Sequence, residues 1–476
     1  MKENPFRQER DEMKELLKQY QNFKTGKKFN FIEEESFERI IDYFDENDNI
    51  PLALEAVNFG VEQYPYSSSL FIKKADILIA SQRYLEALSI LEKAEVLDSN
   101  DINLYILKTD AYLALDNQEK AAMLLEEAII VFDGVEKTEL LFELADVYDD
   151  YEDFNKVFNC LKLILEQDPT NEEALYKICF WTDYTGKNEE SVLLHQKIID
   201  EYPYTQLAWF NLGAAFQGLK LYEKSIDAYQ YAIAIDEKFD YAYRNLGDAY
   251  LRLRKYREAI EVLQKVLELT MPEAVIYEAI GYCFEKLKNP AQARFHYRKA
   301  VHLNSTDSHL YYKIAGTYMK EGYWESAVKN LSQAMSINKS KPDYHLALAQ
   351  CLVQLERIKE AVVHFTHFIK ARPRNVKGWK ELIKSLYDFE YYEEALEQIY
   401  NAQKNTDDKP LFVFYKAAVL FALGKSKEAL LHLENGIHRA PGLTKQFIDL
   451  NPSLLQNSLV VETISLNKDL KKKYKK

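Results

Sequence analysis

A period of 34 residues runs through most of this chain. The segment WFNLGAAF begins at Trp209, YRNLGDAY follows at Tyr243 and YEAIGYCF at Tyr277. The same spacing, extended in both directions, gives twelve repeats that begin at residues 34, 68, 102, 138, 172, 206, 240, 274, 308, 342, 376 and 410, with a two-residue insertion near 134–137. Such a period is typical of chains that stack small supersecondary units, not of separate globular domains.

Three columns of the repeat are restricted in size. The twentieth position is alanine in nine of the twelve repeats. The eighth position is Gly, Ala, Cys or Thr in all but two repeats, which have Ile41 and Ile383. The twenty-fourth position is large and apolar except at His195. Small residues at two fixed positions predict two helices that cross closely there, where a larger side chain would hold them apart.

The repeat reads W-x-x-L-G-x-x-Y, then A-x-x-x-F, then proline, and it resembles the tetratricopeptide repeat. The residues that carry the pattern best are Trp209, Leu212, Gly213 and Phe216, and the closing proline occurs at Pro65, Pro169, Pro203, Pro373 and Pro441. The resemblance implies an all-α fold, a right-handed α-solenoid in which antiparallel helices A and B of each repeat form a superhelix. Glycine between the helices, at Gly186, Gly322 and Gly424, predicts a left-handed turn.

The spacing predicts three parts. Residues 1–33 are expected to form an N-terminal capping helix and linker, 34–443 twelve tandem repeats, and 444–476 a C-terminal capping helix and a basic tail. Terminal repeats lack a neighbour on one side, so an array of this kind needs caps. Neither end is long enough for a catalytic domain, which predicts that the chain is not an enzyme.

Motifs for catalysis or cofactor binding are absent from the sequence. It contains no G-x-x-x-x-G-K-[ST], G-x-G-x-x-G or H-E-x-x-H. We therefore predict no catalytic residue, no metal and no cofactor. His345, His364 and His367 are interpreted as groove or surface histidines, and the four cysteines, which occupy small or apolar repeat positions, as core residues: Cys160, Cys179, Cys283 and Cys351.

Charge is distributed unevenly along the chain. The net charge is -14, and the first 205 residues hold the acidic excess while the remainder is slightly basic. An acidic half would repel a phosphate backbone, so nucleic acid is not an expected partner. No apolar run is long enough for a membrane span and the N-terminus lacks a signal-peptide core, so we expect a cytoplasmic protein. The lysine-rich end, 468–476, is expected to be solvated.

In tetratricopeptide arrays, positions 2, 5, 6, 9, 12 and 13 of helix A line the concave groove. The resemblance therefore places acids in the N-terminal groove, basic residues in later repeats, and an asparagine at position 6 of two successive repeats. The residues predicted to bind a peptide are Asp42, Asp76, Asp110, Glu143, Asp146, Asp149, Asn211, Asn245, Arg244, Arg252, Lys380 and Lys384. We expect a basic extended segment in the N-terminal groove, acidic groups in the C-terminal groove, and peptide-backbone hydrogen bonds from the asparagine amides.

Three functions fit these features. The first is a non-enzymatic scaffold that holds partner protein segments in its groove. The second is a self-associating structural oligomer, in which the acidic half of one copy meets the basic half of another. The third is a repeat-bearing regulatory subunit of an enzyme encoded elsewhere. The acidic columns also have a simpler interpretation as solvated helix faces.

Overall fold

The structure, a computed structural model, describes residues 5–25 and 31–473, and within these ranges the chain is helical with no β-strand. Side chains are described for 12–25 and 31–465, so the lysine side chains of the predicted basic tail lie outside the described residues. The chain forms two compact units, Met1–Asn245 and Leu246–Lys476, here called the first and second units.

In the first unit, one long helix is followed by consecutive pairs of shorter ones. Even-numbered helices from α2 to α24 are helix A of a repeat, and odd-numbered helices from α3 to α25 are helix B. Their bounds are α1 Pro5–Lys24, α2 Glu34–Glu46, α3 Ile50–Gln63, α4 Ser68–Ala80, α5 Tyr84–Leu97, α6 Ile102–Ala114, α7 Gln118–Val131, α8 Gly134–Asp150, α9 Phe154–Gln167, α10 Glu172–Thr185, α11 Asn188–Glu201, α12 Gln206–Gly218 and α13 Tyr222–Ile235.

The second unit continues the same alternation after α14 (Asp240–Arg252), whose residues are divided between the two units. Two 3-10 turns, Pro441–Leu443 and Pro452–Gln456, flank its penultimate α-helix. The α-helices are α15 Tyr256–Leu269, α16 Ala274–Lys286, α17 Pro290–Leu303, α18 Ser308–Glu321, α19 Trp324–Ile337, α20 Pro342–Gln354, α21 Ile358–Ala371, α22 Val376–Asp388, α23 Tyr392–Asn405, α24 Pro410–Ala422, α25 Ser426–Arg439, α26 Thr444–Leu450 and α27 Ser458–Lys473.

Helices A and B of a repeat cross where both size-restricted columns meet. Alanine at the twentieth position is fully buried wherever it occurs, for example at Ala53 and Ala259. A Cβ atom on Gly281 would lie 2.7 Å from the ring of Tyr297, the residue at position 24 of the same repeat. Each unit is thus a stack of antiparallel helix pairs, which confirms the predicted all-α solenoid class.

The turn between helices A and B places one residue in the left-handed region in every repeat. Glycine fills this fifteenth position three times, with φ of 70° at Gly186, 79° at Gly322 and 76° at Gly424, as the sequence predicts. The nine other repeats hold a non-glycine residue in the same conformation: Asp48, Gln82, Asp116, Glu152, Lys220, Arg254, Lys288, Glu356 and Glu390. The turn geometry is therefore imposed by the packed helix pair even where the residue does not favour it.

A tryptophan and a proline connect successive repeats. The indole Nε1 of Trp209 donates to the carbonyl of Pro203 at 2.8 Å, and Trp379 makes the same bond to Pro373 at 2.8 Å. In both cases the preceding helix B ends two residues before the proline, which cannot continue it. The bond holds the start of the next helix A against the end of the previous helix B.

The insertion near 134–137 lengthens a helix. Helix α8 has 17 residues, whereas α6, the helix A before it, has 13. The added residues form an extra turn at the start of α8, opened by Gly134 with φ of 65°. Position 8 of this repeat, Ala145, remains buried, so the helix crossing is preserved.

Candidate peptide-binding surface

Helices A of successive repeats lie side by side in the first unit, where α2 contacts α4, α4 contacts α6 and α6 contacts α8. Two side-chain bonds cross between them: the Ser69 hydroxyl donates to the Glu38 carboxylate, and the Lys73 ammonium donates to Asp42. The groove columns of these helices therefore form one surface. We call its six predicted carboxylates the acidic row: Asp42, Asp76, Asp110, Glu143, Asp146 and Asp149.

The acidic row is open to solvent. Five of its members are exposed, and Glu143 is half-buried. No group of three or more His, Cys, Asp or Glu within the described residues has the arrangement of a metal site. The row is therefore a spread of single carboxylates, which suits contacts distributed along an extended cationic partner.

Carboxylates from different repeats are close enough to repel one another. Partial burial raises the pKa of Asp76, and the charge of Asp45 in the preceding repeat raises it further, with smaller effects from Asp110 and Asp42. Partial burial likewise raises the pKa of Glu143, followed by the charges of Asp110 and Asp146. This repulsion links the helices A of the first four repeats, so the structure brings the acidic row together.

Two lysines partly offset this charge. Lys73, bonded to Asp42, lowers the pKa of Asp76. Lys177 donates to Glu173 at 2.8 Å and lies 5.0 Å from the ring centre of Phe142. Partial burial raises the pKa of Asp146, and the charge of Lys177 opposes this rise. Lys177 shows that this surface already accommodates a cation between carboxylates and an aromatic face.

The two predicted asparagines are placed differently. Asn211 is only 2% exposed, and its amide donates to the Leu175 carbonyl at 2.7 Å and lies 3.2 Å from His195 Nε2. This contradicts its predicted role, because an amide enclosed in the core cannot reach a peptide. Asn245 is half-buried.

His195 explains why Asn211 is buried. The histidine is fully buried, and its Nδ1 lies 3.1 Å from the Ser191 hydroxyl and 2.8 Å from the Ser191 carbonyl. Burial lowers the pKa of His195 to about 4, so the ring is neutral at pH 7. A polar ring in a core position needs polar partners, and Asn211 is one of them. The signal in the sequence was His195 itself, the exception in its column.

The predicted basic residues are mostly engaged with acids. Arg244 pairs with Asp240 at 3.1 Å, and Arg252 with Asp248 at 3.3 Å. Lys384 is exposed and lowers the pKa of Asp388, which burial raises, whereas Lys380 is half-buried. The C-terminal groove columns are thus closer to neutral than the sequence suggests.

A cavity of about 340 Å³ in the second unit opens between three helices A, α18, α20 and α22, and the helices B α19 and α21. Met319 and Val353 supply apolar surface, and Gln350 and Ser385 supply polar groups. The remaining lining residues are Lys320, Trp324, Gln354, Phe365 and Glu381. Its volume lies at the lower end of the range of small-ligand pockets.

Helix α10 carries an exposed row of aromatic rings that was not among the residues predicted from the sequence. Tyr176, Phe180 and Tyr184 are 65%, 61% and 61% exposed, and they occupy positions 5, 9 and 13 of helix A. These are groove positions, so the columns that revealed the acids could also have revealed these rings. We call the three rings the aromatic stripe.

Comparison with known proteins places the repeat pattern in a family. Residues 215–329 match the family described as the tetratricopeptide repeat protein 21 C-terminal ARM domain, and residues 291–368 match anaphase-promoting complex, cyclosome, subunit 3. The first match falls on the same 34-residue helix pairs that the structure shows. The repeats of this chain are of the tetratricopeptide (TPR) type.

Three solved structures that are similar to this TPR protein illustrate the comparison. YrrB, described as a TPR protein with an unusual peptide-binding site, is 19% identical, with 39% of this chain and 96% of that chain covered and a TM-score of 0.36. The C-terminal part of a TPR repeat-containing protein from Cytophaga hutchinsonii is 14% identical (54% and 99% covered, TM-score 0.44). The APC/C heterotetramer Cut9–Hcn1 is 11% identical (82% and 97% covered, TM-score 0.35).

The histidines and cysteines of this TPR protein show no reactive arrangement among the described residues. His345 Nδ1 lies 3.0 Å from His364 Nδ1, a hydrogen-bond distance at which one ring donates to the other. Burial raises the pKa of each cysteine to about 12, including the half-buried Cys179, which leaves the thiols protonated at neutral pH. Within the same part of the chain, no helix is both long and apolar enough to cross a membrane.

Proposed function

We propose that this TPR protein is a non-enzymatic scaffold that holds a basic, extended segment of a partner protein along the acidic row. The observation that carries the proposal is the placement of six carboxylates, five of them exposed, on four successive helices A that contact one another, where their like charges repel. Asp76 interacts with Asp45 and Asp110, and Glu143 interacts with Asp110 and Asp146. A cationic segment laid across them relieves this repulsion.

The spacing of the row favours an extended occupant over a compact one. Its carboxylates come from α2, α4, α6 and α8, one helix A after another, so contacts are spread over several repeats. Exposed charges of this kind contribute little singly but raise the association rate together, because their potentials add over the surface. The proposal that the C-terminal groove binds acidic groups has less support. Arg244 and Arg252 are paired with acids, so only Lys380 and Lys384 remain of the predicted basic residues.

Binding of octalysine, labelled with fluorescein and followed by anisotropy at about 0.15 M ionic strength, tests the proposal. We expect binding to the wild-type chain and a loss of about tenfold or more in affinity for Asp146→Lys, Asp149→Lys, because two attractions become two repulsions. The substituted residues are exposed, and Lys near the C-terminal end of α8 suits the helix dipole.

The matched control is Glu127→Lys, Asp227→Lys, which changes the net charge equally at exposed positions on helices B. Its affinity for octalysine should fall less than about threefold, since exposed charges outside the site are screened. Equal losses in the two double variants would show a general charge effect and overturn the acidic row as the site. An absence of octalysine binding to the wild-type chain would overturn the proposed function.

A further inference from the structure

The aromatic stripe adjoins the acidic row. Lys177 lies on the same helix as the stripe, between Tyr176 and Phe180 in sequence, and reaches the ring of Phe142 on α8. Glu173, at the start of α10, raises the pKa of Asp146. Lys177 and Phe142 therefore connect groove columns of α8 and α10, and the stripe lies on the helix A that follows the carboxylates of α8.

Two of the three rings of the stripe, Phe180 and Tyr184, are held by a second layer of aromatic side chains. Phe180 and Tyr184 have ring centres 6.0 Å apart with planes inclined by 26°. Trp181 meets Phe180 edge-on at 4.8 Å, and Phe154 meets Tyr184 at 4.7 Å. Trp181 and Phe154 are half-buried. Because this layer fixes the rings from below, their outer faces are presented to solvent in a set arrangement.

Three large rings exposed on one face of a helix form a patch that solvates poorly. The charge around the patch selects its occupant. An apolar partner would bring its surface against carboxylates, whereas a cation can meet the carboxylates and the ring faces together. Lys177 beside Phe142 and Glu173 is an example of this pairing within the chain.

We propose that the aromatic stripe selects arginine over lysine in the basic segment that the acidic row binds. This inference depends on the proposed function. The guanidinium group is planar and weakly hydrated, so it stacks on an aromatic face while its N–H groups bond to a carboxylate. An ammonium group is compact and strongly hydrated, and it gains less from a ring face. The partner segment therefore carries arginine where it crosses α10.

The test compares labelled octaarginine with octalysine on the full chain. We expect octaarginine to bind about tenfold more tightly than octalysine. Phe180→Leu, Tyr184→Leu keeps apolar side chains but removes the ring faces. It should weaken octaarginine binding about tenfold and octalysine binding less than about threefold. Retained octalysine binding shows that the surface of this variant is folded.

Two controls separate ring chemistry from other effects. Phe180→Tyr, Tyr184→Phe keeps both rings and should hold octaarginine affinity within about twofold. Tyr204→Leu removes an 85% exposed ring outside the groove and should change neither peptide. Equal affinities of the two peptides for the wild-type chain would overturn the arginine preference. So would a ratio of octaarginine to octalysine affinity that is unchanged in the leucine variant. In either case, octalysine binding that depends on the acidic row would still support the proposed function.

A second copy of the chain is the competing occupant. Sedimentation velocity of the wild-type chain and of Phe180→Leu, Tyr184→Leu distinguishes it. We expect both to sediment identically. A wild-type oligomer that dissociates in the leucine variant, and that octaarginine does not disrupt, would overturn the proposal and assign the stripe to self-association.

Discussion

Gly213 on α12 lies directly against the ring of Tyr229 on α13. A Cβ atom at Gly213 would be 2.6 Å from the Cδ1 and Cε1 atoms of that ring. Tyr229 is 1% exposed, and its hydroxyl donates to the Gln217 side chain at 3.1 Å. The ring is therefore enclosed and cannot easily move aside. The absence of a side chain at Gly213 is what allows tyrosine at position 24 of this repeat.

Gly213→Ala should lower the free energy of unfolding by about 1–2 kcal/mol, because overpacking outweighs the gain in helix propensity. Adding Tyr229→Leu restores a pairing that other repeats use, Ala75 with Leu91 and Ala145 with Leu161. Denaturant unfolding of the double variant should therefore recover part of the loss. If the loss of stability in the double variant equalled the sum of the losses in Gly213→Ala and Tyr229→Leu, the packing explanation would be wrong.

Replacing Lys220 by glycine should stabilise the folded chain. The φ of Lys220 is 61°, in the left-handed region, and its side chain is exposed. Lys220→Gly removes the steric cost of a Cβ there, offset partly by the greater freedom of glycine in the unfolded chain. We expect a rise of about 0.5–1 kcal/mol in the free energy of unfolding.

The opposite substitution is the control for this turn. Gly186 has φ of 70° and open space around its Cα, so Gly186→Ala should lose about 1 kcal/mol through backbone strain alone. Thermal unfolding followed by circular dichroism compares the two variants with the wild type. Shifts of the same sign in both would contradict a backbone origin.

Protonation of His195 should destabilise the fold in acid. Burial lowers the pKa of His195 to about 4 in the folded chain, below the value near 6.5 of an exposed histidine. The unfolded state therefore binds the proton more strongly. The contribution of neutral His195 to the free energy of unfolding is fully present above about pH 6.5. It is lost as the pH falls toward 4, and the loss is on the order of 3 kcal/mol.

His195→Leu removes the titrating group and places leucine where other repeats have it, as at Leu161 and Leu263. Urea unfolding of the variant and the wild type, measured from pH 7 to 4, gives the difference. We expect the free energy of unfolding of the wild type to fall more over this interval than that of the variant. A difference between the two proteins at pH 7 does not affect this comparison. Parallel profiles would show that the ring does not titrate against folding.

The helix pairs and their crossing could be predicted from the sequence because they depend on local, periodic patterns. Small residues at position 20 mark the helix crossing wherever they occur, and Ala53 and Ala259 are indeed fully buried. The acidic row was also predictable, since a regular repeat carries each column to the same face. The left-handed conformation of Lys220 was not, because a lysine alone does not favour it.

What only the tertiary structure decided is the surroundings of individual side chains. Asn211 and Asp146 both occupy groove columns in sequence, yet the first is enclosed by His195 and Leu175 while the second faces solvent. The exposure of the aromatic stripe, likewise, depends on its neighbours, of which Phe154 on α9 and Trp181 on α10 lie against its rings. A period determines which residues share a face, because backbone geometry repeats. Burial and charge at any one position depend on the neighbouring helices, which differ from repeat to repeat.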